Sequence, residues 1–272
     1  MTGMEKLDKL RDQLGVLDRA VVAYSGGADS AFLADVAHEV LGPRAEAITA
    51  VSPSLAPDER EAAKRVAADR GWRHREIFTN ELERPDYVRN ESDRCYHCKT
   101  ELFEVLGDMF PDTPILVGTN VDDLGDHRPG AAAARERGIR APLVDAGFLK
   151  EEIRFLSRGR GLPTWDKPAS ACLASRIAYG VEVTAERLDR VGRAEAFLRS
   201  LGIRELRVRD HGELARIEVP VSDLERLTGE PDRERLTTFL RELGFSYVTI
   251  DLEGFRSGSM NALLQIRRNG SG

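Results

Sequence analysis

The sequence lacks any long apolar run. No stretch of its 272 residues approaches the roughly 20 consecutive apolar positions that a membrane-spanning helix needs, and 32% of the chain is charged, so no membrane partner is expected. A secretion signal is missing too: Met1 to Arg11 is charged and amphipathic, with Leu7, Leu10 and Leu14 at helical spacing and no cleavage site. A cytoplasmic location is expected on that ground. There is no excess of positive charge either. The 40 Lys and Arg face 46 Asp and Glu, giving a net charge of −6 with both signs interspersed, which argues against a protein whose affinity would come from neutralising nucleic-acid phosphates. Cysteine is scarce. Only Cys95, Cys98 and Cys172 occur, and an odd count in such a chain leaves no disulfide framework.

What is present is an alternation of strand and helix. Val21 to Tyr24, Ala45 to Val51, Arg73 to Phe78 and Ile115 to Gly118 read as short strands. Helical stretches around Ala31 to Val40, Asp58 to Arg70 and Thr100 to Gly107 separate them. That order predicts a parallel sheet covered on both faces, with ligands at the carboxyl ends of the strands. Pro85, Pro163 and Pro168 interrupt two segments, Asn80 to Arg94 and Gly161 to Ala178, which read as non-helical; the run Ala131 to Ala134 reads as helix. Beyond Gly180 the pattern changes: a helix over Thr184 to Leu201 is followed by strands over Glu205 to Val208, Leu214 to Val219 and Tyr247 to Leu252. The expected organisation is a parallel-sheet α/β domain over 1–182 and a smaller α+β domain over 183–272, the boundary lying at Gly180 to Thr184.

The strongest local signal is Ser25-Gly26-Gly27-Ala28-Asp29-Ser30, between an apolar strand (Val21, Val22, Ala23) and a helix (Phe32, Leu33, Val36). A glycine pair lets backbone N–H groups turn toward an anion, and the helix N-terminus adds about half a positive charge. Ser25 and Ser30 offer hydroxyls, and Asp29 is a magnesium ligand candidate. The run lacks the lysine and the longer spacing of a Walker A loop, which favours cleavage between the α- and β-phosphates over hydrolysis at the γ-phosphate. An ordinary glycine turn with a helix cap is the bland alternative. The run matches without a gap the SGGxDS fingerprint of the PP-loop ATP pyrophosphatases, which it resembles. The resemblance implies a PP-loop domain of the adenine nucleotide alpha hydrolase-like kind that uses Mg-ATP, with ATP contacts at Ala23, Ser25, Gly26, Gly27, Asp29 and Ser30. It further implies that Val51 lies near adenine, that Gly118, Thr119 and Asn120 border the nucleotide, and that Asp123, Asp126 and Arg128 are further candidates in the loop that follows.

By themselves the cysteines leave several chemistries open. The C-x-x-C pair Cys95 and Cys98 with the distant Cys172 suits three irons of a 4Fe–4S cluster, most of a zinc site with His97 or His127, a redox pair, a nucleophilic Cys172, or packed core thiols. The segments RCYHCK, GDHRPG, KPASACLASRIAYG, RVRDHG, ARIEVP and LEGFRSGSMN, spread over nearly the whole chain, closely resemble the LarE family of sulfur transferases. The resemblance implies action on pyridinium-3,5-biscarboxylic acid mononucleotide: each carboxylate is adenylated and its AMP replaced by sulfur, on the way to the nickel-pincer cofactor of lactate racemase. One branch of that family sacrifices a protein cysteine; another holds a 4Fe–4S cluster through three cysteines and draws on an outside sulfide source. Ala171 stands where the sacrificial branch has its donor, so the sequence is most similar to the cluster branch, with Cys95, Cys98 and Cys172 as ligands and Cys172 close to the chemistry. A one-residue slip of that alignment would make Cys172 the sacrificial donor.

A substrate with two carboxylates and a phosphate calls for arginine forks. Arg207 and Arg209 alternate on one strand and share a face; with Arg176 they match the family's phosphate and substrate contacts. Glu195 and Glu218 match acidic positions of the family's pocket, where the resemblance implies metal binding or substrate orientation; by residue type alone they are surface charges. A homo-hexamer is implied by the same resemblance. Thiolation of tRNA and amide formation by a synthetase of the NAD or GMP kind stand as alternatives, as does nucleotide binding without catalysis. His38 and His74 read as structural, and Trp72 and Trp165 as core anchors or cofactor neighbours.

Overall fold

The computed structural model describes residues 2–125, 129–168 and 171–256. The chain divides into two compact units, one of Met1–Glu81 with Cys95–Ala171, the other of Leu82–Arg94 with Cys172–Gly272. The change of sequence pattern lies later, at Gly180 to Thr184. Residues from Cys172 onward belong with the second unit because Ala178 and Ile177 bridge to Asp210, inside its sheet.

The first unit opens with α1 (Gly3–Gly15), whose Thr2 and Glu5 form a reciprocal capping box and whose Leu7, Leu10 and Leu14 turn inward, as their spacing predicts. There follow β1 (Ala20–Ala23), α2 (Ala28–Leu41), β2 (Ala45–Val51), α3 (Pro57–Asp69) and β3 (His74–Phe78). The chain then leaves for the second unit, where it forms the short α4 (Pro85–Val88). It returns through α5 (Arg94–Met109), β4 (Ile115–Val117), α6 (Pro129–Glu136), α7 (Pro142–Ala146) and α8 (Lys150–Gly159). Each of the four expected strands forms within two residues of its expected bounds, and all four are parallel. Their order is β3-β2-β1-β4. The chain steps outward from β1 on one side, then returns to add β4 on the other. Loops leaving β1 and β4 therefore diverge, opening the crevice at which parallel sheets bind ligands. Apolar cores cover both faces. Phe32, Phe148 and Leu10 lie in one; Ile48, Leu106 and Phe103 lie in the other. Trp72 is a core anchor, edge-on to Tyr24 at 5.4 Å and stacked on His38 at 5.9 Å.

The second unit contains α4, then α9 (Ala185–Ser200), β5 (Arg207–Asp210), β6 (Leu214–Glu218), α10 (Val221–Thr228), α11 (Asp232–Glu242) and β7 (Tyr247–Ile250). Its sheet has the order β5-β6-β7, antiparallel then parallel. Leu198, Val208, Ile217 and Leu240 centre its core. Asn90 explains why the excursion 82–94 belongs here. It takes a left-handed backbone (φ 57°), which asparagine tolerates better than most residues. Its side-chain amide donates to the carbonyls of Ile177, Ala178 and Val181 at 3.2, 2.9 and 2.8 Å. Arg94 adds bonds to Asn90 Oδ1 and to the Ala174 carbonyl (3.0 Å). Of the two segments read as non-helical, one contains α4 and the other a 3-10 turn at Leu173–Arg176. Proline at the first helical position explains the first, since the N–H it lacks would be unpaired there anyway. No described helix is long and apolar enough to cross a membrane.

Candidate functional site

In the first unit the loop after β1 carries the site. Gly26 adopts φ +76°, and a Cβ there would meet that of Ala63 on α3 at 3.0 Å, so glycine is required twice over. Gly27 caps α2 in extended conformation without a side-chain hydrogen bond. The first N–H groups of α2 thus remain open at the carboxyl end of β1. Ser30 Oγ donates to the Gly27 carbonyl (3.2 Å), and since a hydroxyl has one proton, it accepts from Ser25 N–H (3.2 Å) and from Ser25 Oγ–H (3.0 Å). The two serines lock the loop's ends together.

Across the crevice, Gly118 follows β4. A Cβ at Gly118 would stand 2.7 Å from Ser30 N and 2.9 Å from the Asp29 carbonyl carbon, both backbone atoms that cannot yield. The next turn is closed on itself: Asn120 N–H donates to Asp123 Oδ2 (3.2 Å) and Asp123 N–H to Asn120 Oδ1 (3.3 Å). This leaves two buried polar atoms without partners, Asp29 Oδ1 and Asn120 Nδ2. Burial pushes the Asp29 carboxyl above the usual carboxylate range; the Lys150 ammonium pulls it back, Asp123 pushes it further up, and the neighbouring Asn120 side chain, close but not in full hydrogen-bond geometry, pulls it down slightly. A carboxylate oxygen and an amide group left unsatisfied beside open helix N–H groups fit a magnesium-bound phosphate chain, since Asp29 would hold the metal while the loop holds the anion. Ala23 ends β1, and Val51 ends β2 with its carbonyl accepting Thr79 N–H at 3.1 Å. Asp126, His127 and Arg128 lie outside the described residues, as do Ala169, Ser170 and the residues beyond Arg256.

Three cations in this unit escaped the sequence reading. Lys150 approaches Asp123 at 3.6 Å. Arg154 holds the carbonyls of Trp165 (3.1 Å) and Lys167 (2.7 Å). Lys167 donates to the Gly26 carbonyl at 2.9 Å and to Glu59 at 2.5 Å. Lys167 opens the KPASAC segment, and its place beside Pro168 was the available signal. A separate cleft of about 660 Å³, lined by Arg70, Arg160, Asp35 and Glu39, lies at the opposite, amino ends of the strands. Its arginines are committed to Asp35 and Glu39, so it is not the nucleotide site.

Cys95 and Cys98 lie at i and i+3 in the first turn of α5, on one face of that helix, the first exposed and the second half-exposed. Cys172 is exposed in the second unit, just before the Leu173–Arg176 turn. None is in a disulfide, and thiols of this kind have the donor chemistry of iron–sulfur ligands. Among the described residues, no three His, Cys, Asp or Glu side chains are already gathered as a metal centre.

The second unit holds the arginines. Arg176 Nε donates to Glu195 Oε1 at 2.8 Å, and Glu195 also accepts from Arg199 (3.3 Å) and from Val208 N–H (3.2 Å). Arg209 and Arg216 take the two oxygens of Glu218 at 2.8 and 2.9 Å. Both glutamates are almost fully buried, with their oxygens engaged by guanidinium groups. Arg207 differs. Among the described residues it makes no ion pair; it donates to the Leu206 carbonyl (2.7 Å) and lies over the Phe255 ring at 4.9 Å. Burial and, next, the charge of Arg176 bring its pKa down to about 10.

Comparison with known proteins adds to this geometry. Residues 10–97 match the asparagine synthase family model. A pyridinium-3,5-bisthiocarboxylic acid mononucleotide synthase of Lactiplantibacillus plantarum is 36% identical over 252 residues, 91% of each chain. An uncharacterised protein of Synechocystis sp. is 48% identical over 262 residues, 95% of this chain and 98% of that one. A chain of the glutamine-hydrolysing GMP synthase of Thermoplasma acidophilum is 26% identical over 71% of this chain and 68% of its own length.

Proposed function

The chain belongs to the LarE family of PP-loop ATP pyrophosphatases, and on that premise we propose that it is an ATP-dependent sulfur insertase acting on pyridinium-3,5-biscarboxylic acid mononucleotide in nickel-pincer cofactor synthesis. The observation that carries the reading is the unpartnered Asp29 oxygen beside the open N-terminus of α2, at the crevice between β1 and β4. A substrate carboxylate oxygen attacks the α-phosphorus of ATP; the bond to the bridging oxygen breaks and pyrophosphate departs. Open N–H groups at the start of α2 receive the charge developing on it. Asp29, with Asn120 and Asp123 beside it, is positioned for the magnesium ion that neutralises the same charge. Attack of sulfide on the acyl-adenylate carbonyl then expels AMP and leaves a thiocarboxylate, one ATP per carboxylate.

Arg207, free of an internal carboxylate, is the cation for the substrate's phosphate, and Glu195 and Glu218 hold Arg176 and Arg209 in their forks. A 4Fe–4S cluster, with Cys95, Cys98 and Cys172 as its ligands, would supply sulfide at the site. Iron and acid-labile sulfide analysis of anaerobically purified protein tests this: about four irons per chain, lost in Cys95→Ala, Cys98→Ala and Cys172→Ala, is expected. Iron-free anaerobic protein returns Cys172 to the part of expendable donor.

The likeness to a GMP synthase favours one second reading, amide formation through the same adenylate. Mass analysis of the product separates the two. Exchange of oxygen for sulfur at the carboxylates is expected; amide formation from ammonia in its place would overturn the sulfur reading.

A further inference from the structure

Lys167, next to the phosphate loop, has contacts that the reaction above does not use. Its ammonium donates to the carbonyl of Gly26 (2.9 Å) and to Glu59 on α3 (2.5 Å). The lysine is itself held, since Arg154 on α8 binds its carbonyl at 2.7 Å and that of Trp165 at 3.1 Å. We propose that Lys167, set by Glu59, is a positioning residue for pyrophosphate: it pins the Gly26–Gly27 peptide so that the Gly27 N–H turns into the loop, where it donates to Ser25 Oγ (3.4 Å) and holds that hydroxyl at the anion's place. The inference rests on the nucleotide reading of the loop.

Three observations carry it. A trans peptide is planar and its C=O and N–H point in opposite directions, so holding the Gly26 oxygen toward Lys167 sends the Gly27 N–H the other way. Gly26 lies in the left-handed region (φ +76°) and has no side chain of its own, so the orientation of its peptide is left to the Lys167 bond at the carbonyl and the longer Ser25 Oγ bond at the Gly27 N–H (3.4 Å). Finally, the far side of the loop is closed by α3: Ala63 stands 3.0 Å from the position of a Gly26 Cβ, and Glu59, on the same helix, holds the lysine. Lys167 and α3 thus grip one peptide from its carbonyl side. The ammonium acts on the phosphate chain through that peptide rather than by touching it. A lysine freed of Glu59 would swing toward the phosphate chain with its full charge, so removing Glu59 strengthens a direct contact but weakens a positioning one, which gives the two roles opposite signs in one variant.

The test is calorimetric binding of inorganic pyrophosphate with magnesium to the full chain, alongside thermal unfolding. Lys167→Met is expected to weaken binding on the order of tenfold, about the weight of one charge-assisted hydrogen bond, and Lys167→Arg to recover part of it. Glu59→Gln is expected to weaken binding in the same direction by a smaller factor, with the double variant no weaker than Lys167→Met alone. Tighter binding by Glu59→Gln would overturn the proposal, because a lysine released from Glu59 would then be serving the phosphate directly. Wild-type binding by folded Lys167→Met would overturn it as well, while leaving the loop's reading intact. Wild-type protein that binds neither pyrophosphate nor ATP would remove the nucleotide reading and this inference with it.

Discussion

The two units prepare to meet anions in contrasting ways. On the proposed reading, glycine backbone and helix N–H groups form the cradle of the first, and one half-buried carboxylate, Asp29, has a buried oxygen without a partner. In the second, side chains form the site: buried Glu195 and Glu218 are spent on arginines, and Arg207 remains as the surplus cation. A backbone cradle carries no titratable group and needs no counter-ion, but it permits no side chain to intrude. An arginine cluster reaches farther and selects carboxylate or phosphate by its fork, but concentrated guanidinium groups must be neutralised from within. Glutamate in the second unit is therefore spent on neighbouring arginines, whereas Asp29 in the first is, on the proposed reading, held for a ligand.

Substitutions should separate the two designs, the largest effect falling in the second unit. Glu195→Ala leaves Arg176 without its buried counter-ion, and urea denaturation should show a loss of about 3–5 kcal/mol. Asp29→Asn should do the reverse. Pyrophosphate release should fall by on the order of a hundredfold or more, while stability at neutral pH is retained or raised. The folded-state pKa of Asp29 is raised; its favourable contribution to folding is present at low pH and lost as pH rises through that pKa. The stability gap between Asp29→Asn and wild type should accordingly widen from acid to neutral pH. Wild-type pyrophosphate release should have an acid limb above the ordinary carboxylate range, and equal sensitivity of Asp29→Asn and Glu195→Ala to urea would break the contrast.

Gly118→Ala comes next. Its methyl would press on the backbone of Asp29 and Ser30, costing about 1–3 kcal/mol in thermal unfolding and weakening ATP binding together with it. The smallest stability effect belongs to Arg207→Met, which removes a cation that burial already disfavours. Melting temperature should hold or rise, while KM for the acidic substrate increases on the order of tenfold. A large loss of stability here would make Arg207 another scaffold member.

Local features of this molecule were legible from its residues, and long-range ones were not. The phosphate loop and the four parallel strands are written in short spans of apolar and glycine residues, and they stand where the sequence placed them. The segment 82–94 gives no local sign that it belongs with the second unit; its place depends on bonds from Asn90 to carbonyls some ninety positions away. Strand β5 was expected over Glu205 to Val208 and forms at Arg207–Asp210. Arg209 and Asp210 look solvent-facing by hydropathy, yet they are buried because Glu218, Arg187 and Arg190 neutralise them. Of the candidate site residues, Asp29, Gly118 and Asn120 are brought together in the first unit. Lys167 went unassigned because its partners, the Gly26 carbonyl and Glu59, lie more than a hundred positions away, and only its place beside Pro168 in the KPASAC segment hinted at it.

The most direct test of the account is isotope exchange: radiolabelled pyrophosphate and unlabelled ATP are incubated with the protein, with and without pyridinium-3,5-biscarboxylic acid mononucleotide, and label in ATP is counted. Reversible adenylation at the phosphate loop predicts label in ATP only when the acid is present, and none with Asp29→Asn; acid-independent exchange, or release of orthophosphate in place of pyrophosphate, would contradict it.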